Sequence, residues 1–183
     1  MVRVIAGQYR GRMLVAPQGR GIRLTSDRVK EALFNILAPR VNGASFLDLF
    51  AGTGSVGIEA LSRGARSCTF VEKNPAHIRF LRRNISSLSP TPRCRVYRAD
   101  VFRFLRSCRD TFDIVFADPP YGKGLAQLTL NSIAESGVVA RGGVVVIEHE
   151  KGAELCLDDR ACPLRLERQA AYGDTVISFL SEG

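Results

Sequence analysis

Apolar runs separated by stretches of helical spacing recur along most of this chain. Five such runs are predicted strands, over residues 45–51, 67–72, 94–100, 112–118 and 142–150. The last two are almost continuously apolar, which is typical of strands covered on both faces. Because helical patterns lie between the strands, the order predicts an α/β fold with a parallel sheet and right-handed crossovers.

Two helices are predicted from apolar residues three and four positions apart. The first could be capped by Ser26 or Asp27, and its apolar positions are Val29, Ala32, Leu33, Ile36 and Leu37. The second has arginines on its polar side, and its apolar positions are Ile78, Leu81, Ile85 and Leu88.

Two further strands are predicted after Pro163, joined by a Tyr-Gly-Asp turn with no helix-length gap between them. This pattern predicts an antiparallel hairpin at one edge of the sheet. The fold class is therefore α/β, a Rossmann-like, doubly wound, mostly parallel seven-stranded sheet with an antiparallel C-terminal hairpin.

The first 24 residues do not follow the strand–helix alternation. The segments "RVIAG" and "RMLVAP" flank the turn-prone "QYRG", and a Gly/Arg stretch, "QGRGIR", follows. This pattern favours a small β-hairpin arm over residues 1–24, ahead of a main domain over residues 25–183. A flexible leader is the alternative.

Composition excludes several classes of protein. The chain has 183 residues, 45% hydrophobic and 24% charged, and no apolar run near the roughly 20 residues that cross a bilayer. No signal peptide is recognisable, so we expect a cytoplasmic location. Five cysteines form no CxxC pair, and His77 and His149 have no motif partner nearby, so we expect no metal site.

The net charge of +8 is concentrated in two blocks. Residues 1–30 carry a net +6 and residues 76–110 a net +7, whereas residues 111–183 carry −5. Such segregation indicates a face that binds a polyanion, although an ordinary solvated surface would also explain it. Most of the excess is arginine, whose planar guanidinium suits phosphate and base stacking.

The segment "FLDLFAGTGSVGIEA" places a Gly-rich turn between a strand and a helix. Gly52, Gly54 and Gly57 match the G-x-G-x-x-G spacing of dinucleotide-binding folds, and Glu72 ends the next strand. A nicotinamide site and a structural turn without a ligand both remain open on these residues alone.

The carboxylates favour S-adenosylmethionine over a dinucleotide. Asp48 lies inside the strand, where a carboxylate suits an ammonium group better than a pyrophosphate. Glu72, Asp100 and Asp118 end the later strands, a row of acceptors suited to ribose hydroxyls, an adenine amino group and an amine substrate.

The combination of "DLFAGTG" with "DPPY" about 65 residues later resembles the class I S-adenosylmethionine-dependent methyltransferases that modify exocyclic amines of bases. The resemblance implies a cofactor site made of Asp48, Phe50, Ala51, Gly52, Thr53, Gly54, Glu72, Lys73, Asp100 and Val101. It implies a catalytic, base-binding corner made of Asp118, Pro119, Pro120 and Tyr121.

The chemistry of an exocyclic amine suits that corner. Its lone pair is conjugated into the ring, so the nitrogen is a poor nucleophile. Two acceptors, the Asp118 carboxylate and the Pro119 carbonyl, would orient it and draw it toward tetrahedral geometry. Tyr121 would stack on the extruded base, and in-line transfer would then depend mainly on positioning.

Further segments narrow the resemblance. "RVIAGQYRGR", "TSDRVKEALFNIL" and "YGDT" are similar to the RsmD-type bacterial 16S ribosomal RNA guanine-N2 methyltransferases, over residues 3 to about 180. Leu24 departs from the proline expected before "TSDR". The family implies methylation of one guanine N2 in small-subunit RNA, with an assembled or nearly assembled subunit as substrate. We expect a monomer. Arginines suited to the RNA backbone are Arg3, Arg10, Arg12, Arg20, Arg23 and Arg28.

Thr25, Arg28 and Asn35 lie on or beside the helix before the first strand. The resemblance implies that this segment adjoins the cofactor, whereas a helix that only covers the sheet is the alternative.

Other classes explain less. A DNA adenine-N6 methyltransferase shares the corner but usually carries a separate recognition region. A protein-glutamine methyltransferase usually has Asn at the position of Asp118. A non-catalytic RNA-binding module leaves the corner unexplained, and a nicotinamide oxidoreductase accounts only for the glycines.

Overall fold

The structure is a computed structural model that describes residues 2–17, 27–88, 93–122, 124–153, 155–156 and 164–182. Its strands are β1 (Val2–Arg3), β2 (Met13–Leu14), β3 (Ser45–Leu49), β4 (Ser67–Glu72), β5 (Cys94–Arg98), β6 (Phe112–Ala117), β7 (Val139–Glu150), β8 (Leu164–Tyr172) and β9 (Thr175–Glu182). Its helices are α1 (Asp27–Val41), α2 (Ser55–Ser62), α3 (Pro75–Ser86), α4 (Val101–Ser107) and α5 (Leu125–Ser136).

Strands β3 to β9 form one sheet in the order β5-β4-β3-β6-β7-β9-β8. The first five strands in that order are parallel, and β9 and β8 are antiparallel to their neighbours. Gly173, with a φ of 64°, and Asp174 form the turn between β8 and β9. The predicted seven-stranded sheet with a C-terminal hairpin is therefore confirmed.

Helices cover both faces of the sheet, which explains why its central strands are apolar throughout. Alternate strand residues point to opposite faces, so Phe46 packs with α1, α2 and α3 while Leu47 packs with α4 and α5. All five residues of β3 are buried. This central strand is therefore a rigid base for the loop that follows it.

Four strand ends differ from the sequence prediction, the smallest difference being β6, which ends at Ala117 rather than residue 118. The first strand ends at Leu49 rather than residue 51, because Phe50 adopts a φ of 58° that no extended strand allows. The third ends at Arg98, and Asp100 caps α4 instead of closing the strand. Strand β7 begins at Val139, three residues before the predicted start.

The N-terminal arm is a small hairpin, as predicted, but its strands are only two residues long. It is not a separate unit in packing, because Val2, Val4, Tyr9 and Leu14 are buried in the same core as α1 and α2. Residues 18–26, with the proposed boundary after residue 24, lie outside the described residues. The division into an arm and a main domain stays a prediction.

Candidate functional site

The carboxyl ends of β3, β4 and β6 meet at one edge of the sheet, since these strands are parallel neighbours. The Gly-rich loop follows β3, Glu72 ends β4, and Asp118 follows β6 directly. The topology therefore brings the two predicted sites to one edge, where open α/β sheets bind ligands.

Asp48 is fixed inside this edge by the helix that follows the loop. Its Oδ2 accepts a hydrogen bond of 2.9 Å from the Gly57 N–H in the first turn of α2, and the residue is 2% exposed. Burial raises the pKa of Asp48 to about 7, and the charge of Glu72 adds to this effect, while the Gly57 N–H opposes it. Asp48 is thus a buried carboxyl whose ionisation lies near neutral pH.

Hydrogen bonds to the β4 backbone and to the Glu72 side chain fix the conformation of the loop from Phe50 to Gly54. Ala51 N–H donates to the Val71 carbonyl at 3.0 Å, and Gly52 N–H donates to Glu72 Oε2 at 2.8 Å. Phe50 is the only non-glycine residue of the described chain with a positive φ, at 58°. Backbone strain of this kind persists where the surrounding structure enforces it, which fits a binding loop.

The three motif glycines serve different purposes. A Cβ at Gly54 would come within 2.3 Å of Leu81 on α3, and one at Gly57 within 2.3 Å of Phe70 on β4. These two glycines are required for helix and sheet packing. Gly52 has a φ of 56°, and a Cβ added there would meet only the Phe50 carbonyl oxygen, at 3.9 Å. The open space on this side of Gly52 is available to a ligand.

Glu72 also shapes the start of α3. Its Oε1 accepts from the Asn74 N–H at 2.7 Å, and its Oε2 lies 3.6 Å from His77 Nδ1. Asn74 in turn caps α3 through the Ala76 N–H at 2.9 Å. Lys73, between these two residues, is exposed. Glu72 thus couples the Gly-rich loop to the N-terminus of α3.

Asp100 and Val101 are at the N-terminus of α4, beside the loop. Asp100 is exposed, and its Oδ1 accepts from the Phe102 and Arg103 N–H groups at 3.1 and 3.3 Å. Val101 is buried. Phe102 makes an edge-on contact with Phe50, with ring centroids 6.4 Å apart. This contact brings the predicted adenine side of the site to the Gly-rich loop.

The acceptor corner follows β6 without interruption. Asp118 and Tyr121 are half-buried, Pro119 is buried and Pro120 is exposed. A cavity of about 210 Å³ opens beside the corner, and its lining includes Pro120, Tyr121 and Leu125. The corner is therefore an open recess that is partly apolar.

The C-terminal hairpin holds Tyr121 in place. The Tyr121 hydroxyl lies 3.2 Å from Thr175 Oγ1 and 3.4 Å from the His149 carbonyl oxygen, and Gly122 N–H donates to Glu150 Oε1 at 3.2 Å. Thr175 is the last residue of the "YGDT" segment. The sequence predicted a turn at this segment but no contact with the corner. The segment runs from the last residue of β8 to the first residue of β9.

His149 is a structural residue in this arrangement. Its Nε2 forms a 2.8 Å hydrogen bond with Ser178 Oγ, and burial lowers the pKa of its imidazole. Ser178 Oγ also accepts from Gln169 Nε2 at 2.9 Å, which links β7, β9 and β8. The neutral histidine is therefore favoured and fastens the strands that carry Thr175.

Buried polar residues that the sequence analysis did not single out fasten the arm, among them Glu59 and Asn84. Glu59 on α2 accepts from the Ile5 and Ala6 N–H groups at 2.8 and 3.0 Å, and lies 3.8 Å from Lys30 Nζ. Asn84 on α3 accepts from the Val15 N–H at 2.8 Å. Asn84 falls three residues after Leu81, at a core position of the helical pattern, so a polar residue there was the available signal.

The predicted RNA-binding arginines fall into three groups. Arg10, Arg12 and Arg28 are exposed, and Arg3 is paired with Asp27 at 3.2 Å. Arg20 and Arg23 lie outside the described residues, as does Thr25. Asn35 is exposed on α1.

Among the described residues, no helix is both long and apolar enough to cross a membrane, and no cluster of three His, Cys, Asp or Glu residues could hold a metal ion.

Comparison with known proteins agrees with this geometry. The family model described as "Conserved hypothetical protein 95" matches residues 2–181. Ribosomal RNA small subunit methyltransferase D of Escherichia coli (strain K12) is 40% identical over 149 residues, covering 81% of this chain and 75% of its own length. The YlbH protein of Bacillus subtilis (strain 168) is 38% identical over 181 residues, covering 97% of both chains.

Solved structures agree as well. The yhhF protein of Escherichia coli superposes with a TM-score of 0.88 at 35% identity, covering 99% of this chain and 97% of that one. SMU.776, solved in complex with SAH, has a TM-score of 0.67 at 14% identity and covers 88% of this chain and 51% of that one, a likeness of fold alone. The chain is a methyltransferase that belongs to the conserved hypothetical protein 95 family and is of the RsmD type.

Proposed function

We propose that this protein transfers a methyl group from S-adenosylmethionine to the exocyclic N2 amine of one guanine in 16S ribosomal RNA of the small ribosomal subunit. The observation that carries the proposal is the meeting of two sites at one sheet edge, the Gly-rich loop after β3 and the Asp118–Tyr121 corner after β6. The curated relative named small subunit methyltransferase D supports the choice of acceptor.

The residues at the Gly-rich loop fit S-adenosylmethionine. Gly52 leaves its side open, and the buried Asp48 carboxyl lies behind the loop, suited to an ammonium group directly or through water. Glu72 would bind the ribose, and Asp100 with Val101 the adenine. Phe50, Ala51, Thr53, Gly54 and Lys73 complete the lining. The SAH complex of SMU.776 is consistent with this ligand class for the fold.

When bound, S-adenosylmethionine supplies an electrophilic methyl group on a sulfonium sulfur. The work of this chain is to present the amine. The Asp118 carboxylate and the Pro119 carbonyl accept its two N–H bonds, so the lone pair is turned away from the ring and toward the methyl. The Asp118 carboxylate would also accept the proton that the amine releases on methylation.

Tyr121 supplies a face for the base. Its hydroxyl is anchored near Thr175 and the His149 carbonyl, so the ring is oriented before the base arrives. An aromatic platform of this kind is how many enzymes hold an extruded nucleotide. Pre-set orientation of this ring and of Asp118 reduces the entropy lost in reaching the reactive geometry.

The acceptor can be tested by side-by-side transfer of labelled methyl to small subunits lacking the modification, protein-free 16S RNA, duplex DNA and bulk protein. We expect label in N2-methylguanine from subunits or their RNA. Label in DNA adenine would keep the corner chemistry and refute the RNA assignment, and label in protein would refute both. Cofactor binding by calorimetry is the control that the protein is active.

A further inference from the structure

Five exposed arginines lie on two elements that are distant in sequence but that Asn84 holds in contact. Arg10 and Arg12 belong to the turn of the arm, and Arg79, Arg82 and Arg83 belong to the exposed face of α3. We call these five residues the arm–α3 surface. The arm was expected to contact RNA, whereas the arginines of α3 belonged to the second basic block without a residue-level assignment.

Asn84 joins the two elements. It is 1% exposed, accepts from the Val15 N–H at 2.8 Å and donates to the Val15 carbonyl at 3.0 Å, so it pairs with the strand leaving the arm as a β-strand neighbour would. It also donates to the Thr53 carbonyl at 2.9 Å. The arm, α3 and the Gly-rich loop are therefore fixed relative to one another through this one side chain.

The arm and the end of α3 also share a groove. A recess of about 580 Å³ is lined by residues 8–13 of the arm and by Ser87, which follows α3. Arg10 and Arg12 lie on its wall, together with Met13, whose exposed fraction is 47%. The described residues that line this groove include no Asp or Glu, so its charge suits a polyanion.

Within the described part of the chain, no carboxylate pairs with the arginines of this surface. Residues 2–17 and 75–88 contain no Asp or Glu. Among the described residues, none of the five arginines forms a salt bridge, whereas Arg63, Arg66 and Arg95 each have a carboxylate within 2.9 Å. Exposed arginines that lack an acidic partner are available to phosphates, for which a guanidinium is well shaped.

We infer that the arm–α3 surface binds the sugar–phosphate backbone of the substrate RNA beside the target nucleotide, with α3 as a second backbone-contacting element. The inference rests on the proposed function, because it takes the acceptor to be RNA. Contacts to phosphates fix register and orientation without reading sequence. A rigid link from α3 to the cofactor loop would then set the distance between the bound backbone and the reacting amine.

The test compares two variants that lose the same charge. Arg82→Gln/Arg83→Gln removes two arginines from α3, and Arg165→Gln/Arg168→Gln removes two exposed arginines from β8, at the opposite edge of the sheet. Affinity for protein-free small-subunit RNA is measured between 50 and 200 mM salt. Melting temperature and S-adenosylmethionine affinity are measured alongside, and neither is expected to change.

If both α3 arginines contact phosphates, the slope of log affinity against log salt falls by about 1.4 to 1.8 in the α3 variant. The β8 variant should keep the wild-type slope. Equal losses in the two variants, which would indicate an effect of net charge alone, would overturn the inference, as would an unchanged slope in the α3 variant.

Failure of the proposed function would look different. Wild-type protein would then place no methyl in small-subunit RNA, whatever the α3 variant binds. Wild-type transfer to that RNA, combined with an unchanged salt slope in the α3 variant, would keep the proposed function and remove α3 from the interface.

As a second variant, Arg79→Gln alone should lower the slope of log affinity against log salt by about 0.7 to 0.9.

Discussion

Replacing Asp48 by Asn tests whether the buried carboxyl beneath the Gly-rich loop is kept for the ligand at the expense of stability. The amide oxygen of Asn can still accept the hydrogen bond that Gly57 N–H donates to Asp48 at 2.9 Å. The substitution therefore removes the ionisable group and leaves its shape and this bond in place. The new amide N–H₂ adds a cost that does not depend on pH.

The magnitude follows from the pKa of this group. Burial raises the pKa of Asp48 from 3.8 to about 7 in the folded protein. Because the folded-state pKa exceeds the unfolded value, protonation of Asp48 favours the folded protein. Its contribution to the free energy of unfolding is fully present below pH 3.8 and is lost as pH rises through about 7. Since one pKa unit corresponds to about 1.36 kcal/mol, wild type loses about 4 kcal/mol in total, of which about 2.5 kcal/mol falls between pH 5 and pH 8.

The assay is urea unfolding of both proteins at pH 5, 6, 7 and 8 without cofactor. The variant should gain about 2 to 3 kcal/mol relative to wild type across that range. Taking the difference between the two proteins cancels the other titrating groups and the constant cost of the amide. S-adenosylmethionine affinity should rise with pH through about 7 in wild type only, because the ammonium group favours the ionised carboxyl.

A difference that stays constant within about 0.5 kcal/mol from pH 5 to pH 8 would refute the reasoning. It would mean that Asp48 ionises at an ordinary pH in the folded protein, so that the loop does not hold a strained carboxyl. If stability behaves as expected but the variant binds S-adenosylmethionine as tightly as wild type, the ammonium role of Asp48 would be wrong.

Three further outcomes follow from single contacts. Thr175→Val should lower kcat about tenfold with little change in cofactor affinity, because the Tyr121 hydroxyl keeps the His149 carbonyl but loses Thr175 Oγ1 at 3.2 Å. Thr175→Ser should restore kcat, and an unchanged kcat in the valine variant would show that this contact does not position the corner. Asn84→Ala should lower the free energy of unfolding by about 2 to 4 kcal/mol in urea, because it leaves the backbone groups of Val15 and Thr53 without this partner. A loss under about 0.5 kcal/mol would show that Asn84 does not hold the arm to α3. Arg10→Gln/Arg12→Gln should weaken RNA binding and flatten its salt dependence, and unchanged affinity would remove the arm from the interface.

The sheet and the corner were predictable because their signals are local. The run before Asp118 and the two prolines after it place a strand and its end within ten residues of sequence. The turn at Gly173 was predictable for the same reason. Strand ends were less accurate, because the positive φ of Phe50 arises from the loop that surrounds it and leaves no mark in the residue type.

The contacts that hold the site together were not predictable from spacing. The hydroxyl of Tyr121 meets Thr175 across 54 residues of chain, and Asn84 meets Val15 across 69. Such pairs depend on which strands and helices become neighbours. The order β7-β9-β8 and the position of the arm against α2 had to be known before a partner could be named.

The glycine motif shows how one pattern can serve two demands. Its spacing predicted a ligand turn, and the structure adds a packing requirement at Gly54 and Gly57, where a Cβ would meet Leu81 and Phe70. Of these three glycines, Gly52 alone would have no close contact with an added Cβ. The same G-x-G-x-x-G spacing would therefore also suit a turn that binds no ligand. For this reason the corner at Asp118 was needed to support the function.

The most direct test of the central claim is single-turnover methyl transfer to unmodified small-subunit RNA by wild type and Asp118→Ala, with cofactor affinity measured on both proteins. Wild type should produce N2-methylguanosine. The variant should bind S-adenosylmethionine as wild type does and transfer methyl at least about 100-fold more slowly, because the amine loses its main acceptor. Transfer at the wild-type rate by the variant, or a methylated nucleoside other than N2-methylguanosine from wild type, would contradict the account.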